Sequence, residues 1–257
     1  MRRDIDGAIG WITLDNPARH NAMSLSMWEA LAAAASAFDA EPAVRVVVLR
    51  GAGGKAFVSG ADISEFEKAR DSAQANEHYE AVGGKAMAAL STLGKPTIAM
   101  LNGYCVGGGM AIALCCDLRI AADDLRYGIP AARLGIGYGW RGIRKLVDVV
   151  GEANAREIFL TARRFDATHA LRTGFAHRVV PAAALESTVR EECAVLAANA
   201  PMTMRSVKVI LGELARADAG IDVARCEAAT RDVLASEDFV EGRRAFMEKR
   251  TPRFEGR

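Results

Sequence analysis

Two glycine-rich segments contain the residues whose types and spacing could do chemistry. Residues 50–63 follow an apolar run and end close to Asp62, and Gly107-Gly108-Gly109 leads into the apolar run 110–116. Glycines at the start of a helix leave backbone N–H groups uncovered, and such donors can hold a phosphate or an oxyanion that forms during a reaction. Close helix packing is an equally good reason for glycine. Two such turns could each offer one N–H to the same oxygen.

Two segments match the glycine pattern of nucleotide-binding motifs but lack other features that those motifs require. Gly137-x-Gly139-x-x-Gly142 has the dinucleotide pattern, but the residues before it do not resemble a strand. The glycine triplet at 107–109 lacks the Lys-Ser/Thr of a phosphate loop. Neither motif supports binding of NAD or ATP.

Gly103-Tyr104-Cys105-Val106-Gly107 matches the G-x-C-x-G elbow on which hydrolases display a nucleophile. Such an enzyme needs a histidine after a late strand, but His177 is the last histidine and the residues beyond it look helical. We therefore favour a buried Cys105 thiol, with His169 and His177 as packing or surface residues.

The cysteines as a group do not indicate a disulfide framework or a zinc site. Their number is odd, two are adjacent, and none has C-x-x-C spacing; they are Cys105, Cys115, Cys116, Cys193 and Cys226. We expect the thiols to be free and to bind no metal, and we expect a reducing, cytoplasmic location.

The apolar periodicity predicts strands and helices that alternate up to about residue 180, followed by helices alone. Strands are predicted at 9–14, 44–49, 97–101 and 118–121, and a helix at 23–38 with Ser26-x-x-Glu29 as its capping box. Two later helices each have one apolar face, formed by Leu185, Val189, Cys193 and Leu196 in the first and by Val207, Ile210, Leu211 and Leu214 in the second. A last helix is predicted between Ser236 and Pro252. We predict an α/β core (1–180) with a continuous helical extension (181–257).

Composition excludes several classes of protein. The 257 residues are 51% hydrophobic and 25% charged, with 33 basic and 32 acidic residues and a net charge of +1. This balance argues against nucleic-acid binding through bulk charge. No apolar run approaches the roughly 18 residues of a membrane span, and the N-terminus lacks the pattern of a signal peptide.

Together the motifs resemble the crotonase superfamily, the enoyl-CoA hydratase/isomerase group. Residues 16–24 are similar to its early loop, 55–63 to its first oxyanion segment and 95–109 to its second. Residues 162–180 and 236–252 resemble its closing elements. The resemblance extends along the whole chain.

This resemblance implies a spiral of ββα turns with a helical trimerisation region, assembled as a trimer or a dimer of trimers. It implies a CoA thioester whose carbonyl lies between the N–H groups of Ala61 and Gly108, so that CoA is part of the substrate and no separate cofactor is needed. Ser59, Asp62 and Ile63 belong to the CoA-binding segment. Arg19 and, from a neighbouring subunit, Phe246 and Lys249 stand where the family contacts CoA.

Two departures from the family pattern bear on the reaction. Hydratases of the group carry one glutamate just after the glycine triplet and a second after a proline further on, and Ala111 and Ala131 stand at those positions here. Loss of one positioned acid–base group costs about 10²–10⁴ in rate. Decarboxylation of a malonyl-type thioester needs an oxyanion hole but no base, and residues 135–138 resemble the stretch of methylmalonyl-CoA decarboxylases that carries a tyrosine, Tyr138 here. Some of those enzymes have histidine in place of Ala61.

We expect the acyl pocket to contain Ala111, Ala131, Leu134 and Trp140, and its size to depend also on Phe66 and Tyr79. Arg133 and Arg141 could meet a substrate carboxylate or hold subunits together.

Two alternatives stay open. One is hydration or isomerisation with a substitute base such as His78 or Tyr138. The other is a non-catalytic CoA-binding or RNA-associated paralogue.

Overall fold

The computed structural model describes residues 1–62, 73–134, 138–215, 220 and 222–257. Its main sheet has six strands in the order β1-β2-β3-β5-β7-β10, with β1 antiparallel and the others parallel. The strands are β1 (Arg2–Asp6), β2 (Ile9–Leu14), β3 (Val46–Gly51), β5 (Thr97–Leu101), β7 (Leu118–Ala122) and β10 (Arg178–Val180).

A second sheet has the order β4-β6-β8-β9, with only β9 antiparallel to its neighbour. Its strands are β4 (Ala56–Val58), β6 (Tyr104–Val106), β8 (Arg126–Gly128) and β9 (Phe165–Asp166). Consecutive strand pairs β3–β4, β5–β6 and β7–β8 therefore place one strand in each sheet before the chain continues into helix. The predicted spiral of ββα turns is confirmed.

Helices occupy most of the remaining described chain. They are α1 (Leu25–Ala40), α2 (Ala73–Thr92), α3 (Gly108–Cys115), α4 (Ala131–Leu134), α5 (Trp140–Thr161, broken at Gly151), α6 (Ala167–Arg172), α7 (Leu185–Ala198), α8 (Pro201–Leu214), α9 (Val223–Leu234) and α10 (Glu237–Glu248). Short 3₁₀ turns lie at Pro17–Arg19 and Ala182–Ala184. The last described strand ends at Val180, where the sequence predicts the change to helix.

Alternation along β3 divides the core between the two faces of the main sheet. Val47 and Leu49 pack into a large cluster with α1, while Val46 and Val48 pack on the other face, where α7 covers the sheet with Leu185 and other apolar residues. A parallel strand buried on both faces reads as a continuous apolar run. This explains why the sequence showed β3 so clearly, although the strand lies two residues later than predicted.

The predicted capping box of α1 is wrong. Ser24 caps the helix, since its side chain accepts a hydrogen bond from the Met27 N–H, at 3.2 Å, while Ser26 and Glu29 lie exposed inside the helix. The Ser24 backbone is extended, as an N-cap requires, and α1 therefore begins at Leu25 instead of Met23. None of the described helices is both long and apolar enough to cross a membrane.

Candidate functional site

The loop before α1 holds the end of the segment after β4 in a fixed position. The Met23 N–H donates to the Gly60 carbonyl at 2.8 Å, and the Asp62 N–H donates to the Met23 carbonyl at 2.9 Å. This is the pattern of a parallel bridge between Met23 and Ala61. In such a bridge the middle residue, Ala61, turns its own N–H and C=O away from the partner strand.

The glycine triplet lies on that other side of Ala61. Gly107 is the N-cap of α3 with φ 52°, and Gly108 is the first helical residue, so the Gly108 N–H has no acceptor within the helix. A Cβ placed on Gly108 would stand 3.8 Å from the Ala61 nitrogen. The two segments singled out by the sequence thus meet, at Ala61 and Gly108.

The two explanations of the glycine triplet concern different positions: the structure supports close packing at Gly109, and the role of the Gly108 amide as a donor stays a prediction. A Cβ on Gly109 would lie 2.4 Å from the Val58 carbonyl oxygen, so Gly109 is needed for the close approach of α3 to β4. Gly108 has more room, and its amide lies at the positive end of the helix dipole. Two N–H groups side by side at such a point can stabilise an oxygen that gains negative charge.

An aromatic pair stands beside these donors. A Cβ on Gly108 would be 3.3 Å from Trp28 Cζ2, and the Trp28 indole N–H donates to the Tyr79 hydroxyl at 2.9 Å. Both side chains are buried. The periodicity of α1 placed Trp28 only on a core-facing side, and nothing in the spacing joined it to Tyr79.

Tyr138 is half-buried, with its ring edge-on to Phe159 at 5.0 Å between centroids. Burial raises the pKa of Tyr138 to about 12, and the nearby Glu80 carboxylate adds to this shift. The phenol therefore keeps its proton at neutral pH. Glu80, on α2, is a carboxylate near Tyr138 that the sequence did not single out.

The residues expected to line the acyl pocket differ in exposure. Ala131 is buried and Ala111 is half-buried, whereas Leu134 and Trp140 are 55% and 62% exposed in the single chain. The Arg141 guanidinium lies over the Trp140 ring, 4.9 Å from the ring centroid. The assignment of these four residues to a pocket stays a prediction.

Several other site candidates are exposed or lie outside the described residues. Arg133 and His78 are exposed; His78 is the neighbour of the buried Tyr79 on α2. Ile63 and Phe66 lie outside the described residues.

Arg19, Ser59 and Asp62 form one connected group. The Arg19 guanidinium pairs with the Asp62 carboxylate at 2.7 Å, and the Ser59 hydroxyl donates to the Arg19 carbonyl at 3.1 Å. Asp62 is buried, while the Arg19 side chain is 51% exposed. The group places a cation at the surface next to Ala61.

The two residues expected from a neighbouring subunit belong to the C-terminal helices. The backbone of Phe246 lies in α10, and its side chain is outside the described part of the structure. Lys249 follows α10 with φ 54° and is exposed. Their contact with CoA stays a prediction.

The structure argues against the cysteine nucleophile. Cys105 is fully buried within β6, and burial raises the pKa of its thiol well above the ordinary value. His177 Nδ1 accepts from the Arg119 backbone N–H at 3.1 Å, and His169 Nδ1 lies 2.7 Å from the Tyr127 hydroxyl. Both histidines therefore have partners other than Cys105.

The dinucleotide-type glycine pattern also has a local explanation. Gly137 is outside the described residues, and the described segment just before it is the helix α4. Gly142 lies in the first turn of α5, where a Cβ would stand 2.7 Å from the Tyr138 ring. The glycine makes room for that ring.

Comparisons with known proteins agree with this fold. A family model described as enoyl-CoA hydratase/isomerase matches residues 4–257. The chain is 32% identical to a short-chain-enoyl-CoA hydratase of Clostridium acetobutylicum over 245 residues (95% of this chain, 93% of the relative). It is 35% identical to a carnitinyl-CoA dehydratase of Citrobacter koseri over 256 residues (98% and 96%).

Solved structures show the same likeness. An enoyl-CoA hydratase/carnithine racemase from Magnetospirillum magneticum superposes with a TM-score of 0.93 at 35% identity, covering 99% of this chain and 97% of the other. An enoyl-CoA hydratase from Bacillus anthracis gives a TM-score of 0.92 at 32% identity, covering 100% and 99%.

Proposed function

The chain belongs to the enoyl-CoA hydratase/isomerase family of enzymes that act on CoA thioesters, and within it we propose that this member decarboxylates a malonyl-type CoA thioester. The observation that carries the proposal is the pair of backbone donors at Ala61 and Gly108, together with alanine at 111 and 131. The donors are those of an enolate-forming site, and the two alanines leave it without the glutamates of the family's hydratases.

In the proposed reaction the bond between the α-carbon and the carboxylate breaks. Its electron pair moves onto the thioester oxygen, which becomes an enolate oxyanion held by the Ala61 and Gly108 N–H groups, and CO₂ leaves. Each such donor contributes about 10²–10³ in rate. The α-carbon then takes one proton, from the Tyr138 hydroxyl or from water. Because burial raises the pKa of Tyr138 to about 12, the phenol is protonated at neutral pH, so it has a proton to donate and cannot act as a base.

We also propose how CoA is held. Ser59, Ala61, Asp62 and Ile63 form the segment beside the thioester, and the Arg19 cation, fixed by Asp62, faces the CoA phosphates. Phe246 and Lys249 of a neighbouring subunit in a homotrimer, or in a dimer of trimers, complete the site.

A second candidate is an enoyl-CoA hydratase or isomerase with a non-standard base. The observation in its favour is the Glu80 carboxylate, close enough to Tyr138 to raise the pKa of the phenol. Relatives of this chain carry the names hydratase and dehydratase. Glu80 and His78 are both exposed, but only Glu80 is placed near Tyr138, and Tyr138 itself keeps its proton.

The deciding experiment offers methylmalonyl-CoA, ethylmalonyl-CoA and crotonyl-CoA in parallel in D₂O, with products read by mass spectrometry. We expect loss of CO₂ from a malonyl-type substrate, one solvent deuterium at the α-carbon, and no hydration of crotonyl-CoA. We expect Tyr138→Phe to slow protonation of the enolate, and His78→Gln, the matched control on α2, to act like the wild type.

The other outcomes are equally informative. Hydration of crotonyl-CoA that Glu80→Gln lowers by about 10² or more would support the second candidate, since this is the effect of losing a general base. Binding of acyl-CoA without turnover of any of the three substrates would contradict both and favour the non-catalytic CoA-binding protein. Absence of acyl-CoA binding would favour the RNA-associated paralogue.

A further inference from the structure

A polar cavity opens at the β8–β9 edge of the second sheet. Its volume is about 560 Å³, which lies within the usual range for small-molecule sites. β6 and β4 separate β8 from the Ala61 segment in the strand order. The lining residues are Arg126, Glu157, Arg164, Phe165, Asp166, Thr168, His169 and Arg172.

A buried histidine forms part of the cavity wall. The His169 side chain is 9% exposed, and its Nδ1 lies 2.7 Å from the Tyr127 hydroxyl, which is also 3.2 Å from the Thr173 hydroxyl. The Phe165 ring stacks on the imidazole at 4.1 Å. These contacts fix the imidazole, so this part of the wall is pre-formed.

The two acidic residues of the cavity are both engaged with His169. The Asp166 carboxylate accepts from the His169 backbone N–H at 2.8 Å, and a Glu157 carboxylate oxygen lies 3.4 Å from His169 Nε2. Each carboxylate thus has a contact at His169, and within the described ranges neither forms an ion pair with an arginine of the cavity.

The three arginines of the cavity have no carboxylate partner among the described residues. Arg126 donates to the Leu125 carbonyl at 2.8 Å, and the Arg164 guanidinium lies over the Tyr104 ring at 5.3 Å. Arg172, like these two, is exposed and forms no ion pair within the described ranges. Other arginines, such as Arg250, are paired with carboxylates.

We propose that this cavity binds a phosphate group, as the free ion or as part of a small organic phosphate. Three guanidinium groups around one opening repel one another, and a dianion among them relieves that repulsion. The guanidinium fork matches phosphate oxygens in geometry, and the fixed imidazole adds a further polar group. The proposal does not depend on the reaction proposed for the Ala61–Gly108 site.

The test is calorimetric titration of the full chain with inorganic phosphate, with adenosine 5′-monophosphate and with adenosine. We expect saturable binding of one or both phosphates, with a Kd near or below about 1 mM, and none of adenosine. The two phosphate arms distinguish the free ion from the phosphomonoester.

Variants locate the binding. Arg164→Gln combined with Arg172→Gln should weaken binding at least about tenfold, because each guanidinium contact to a phosphate is a charge-assisted hydrogen bond. Arg163→Gln, an exposed neighbour that does not line the cavity, should leave the Kd unchanged. Arg19→Gln separates this cavity from the proposed CoA site and should also leave it unchanged.

Absence of saturable phosphate binding would overturn the proposal. So would a Kd that the double arginine variant leaves unchanged, or binding that Arg19→Gln abolishes. All the substituted arginines are exposed, so the variants are expected to fold, and a thermal melt of each checks this.

Discussion

At the scale of single residues, the proposed site depends on backbone groups more than on side chains. Its proposed donors are the N–H groups of Ala61 and Gly108, and neither residue has a side chain larger than a methyl group. The bridge to Met23 turns the Ala61 amide outward, and its place at the start of α3 leaves the Gly108 amide without an acceptor in the helix. A substitution therefore acts here through the space that its side chain takes.

Gly108→Ala should impair activity much more than stability. The new methyl group would stand 3.8 Å from the Ala61 nitrogen, beside the position proposed for the thioester oxygen, while its tightest contact is the Trp28 ring at 3.3 Å. We expect kcat/KM to fall by about 10²–10³, as on loss of an oxyanion-hole donor. The measurement is steady-state kinetics on the substrate found active, with a thermal melt alongside.

Gly84→Ala is the matched control, because its Cβ would meet no atom within 4 Å in the middle of α2. It should keep full activity and gain about 0.5–1 kcal/mol from helix propensity. Equal activity of the two variants would contradict the oxyanion role of the Gly108 amide.

At the scale of elements, α1 connects the fold to the site. Its N-cap follows directly after Met23, which holds Ala61, and one turn later it carries Trp28 against Gly108. The sequence predicted this helix but not its cap, because Ser24 and Ser26 both precede apolar residues at plausible spacing. Only the extended backbone of Ser24 shows which serine caps the start of the helix.

Ser24→Ala should therefore destabilise the protein by about 1 kcal/mol, the usual cost of losing an N-cap side chain. Ser26→Ala, two residues on and exposed, should change the free energy of unfolding by much less. Chemical denaturation of both variants makes the comparison. A larger loss of stability in Ser26→Ala than in Ser24→Ala would instead support a capping box at Ser26 and Glu29.

At the scale of the whole molecule, the C-terminal helices leave apolar side chains in solvent. On α8, α9 and α10 about half or more of each of these side chains is exposed: Val207, Leu211, Leu214, Leu234, Val240 and Met247. The sequence predicted the helix face at 207–214, but none of the described elements buries Val207, Leu211 or Leu214. Several such residues on neighbouring helices favour contact with other subunits.

Light scattering after gel filtration should therefore give about three or six times the 27.4 kDa of one chain. Leu211→Glu should lower this mass, because burying a charge without a partner in an apolar interface is costly. It should also weaken acyl-CoA binding if Phe246 and Lys249 come from a neighbour. Val195→Glu, on the exposed side of α7, is the control. A wild-type monomer would contradict the assembly.

The sequence by itself determined four of the six strands of the main sheet (β2, β3, β5 and β7), the change to helices at residue 180 and the family, because apolar periodicity and local motifs extend over neighbouring residues. It also singled out the two glycine-rich segments, within which the family resemblance pointed to Ala61 and Gly108. The tertiary structure alone decided which side chains meet. Trp28 with Tyr79, Glu80 with Tyr138, and Arg126 with His169 come from distant parts of the chain. No spacing rule connects such residues, since their proximity depends on how sheets and helices pack.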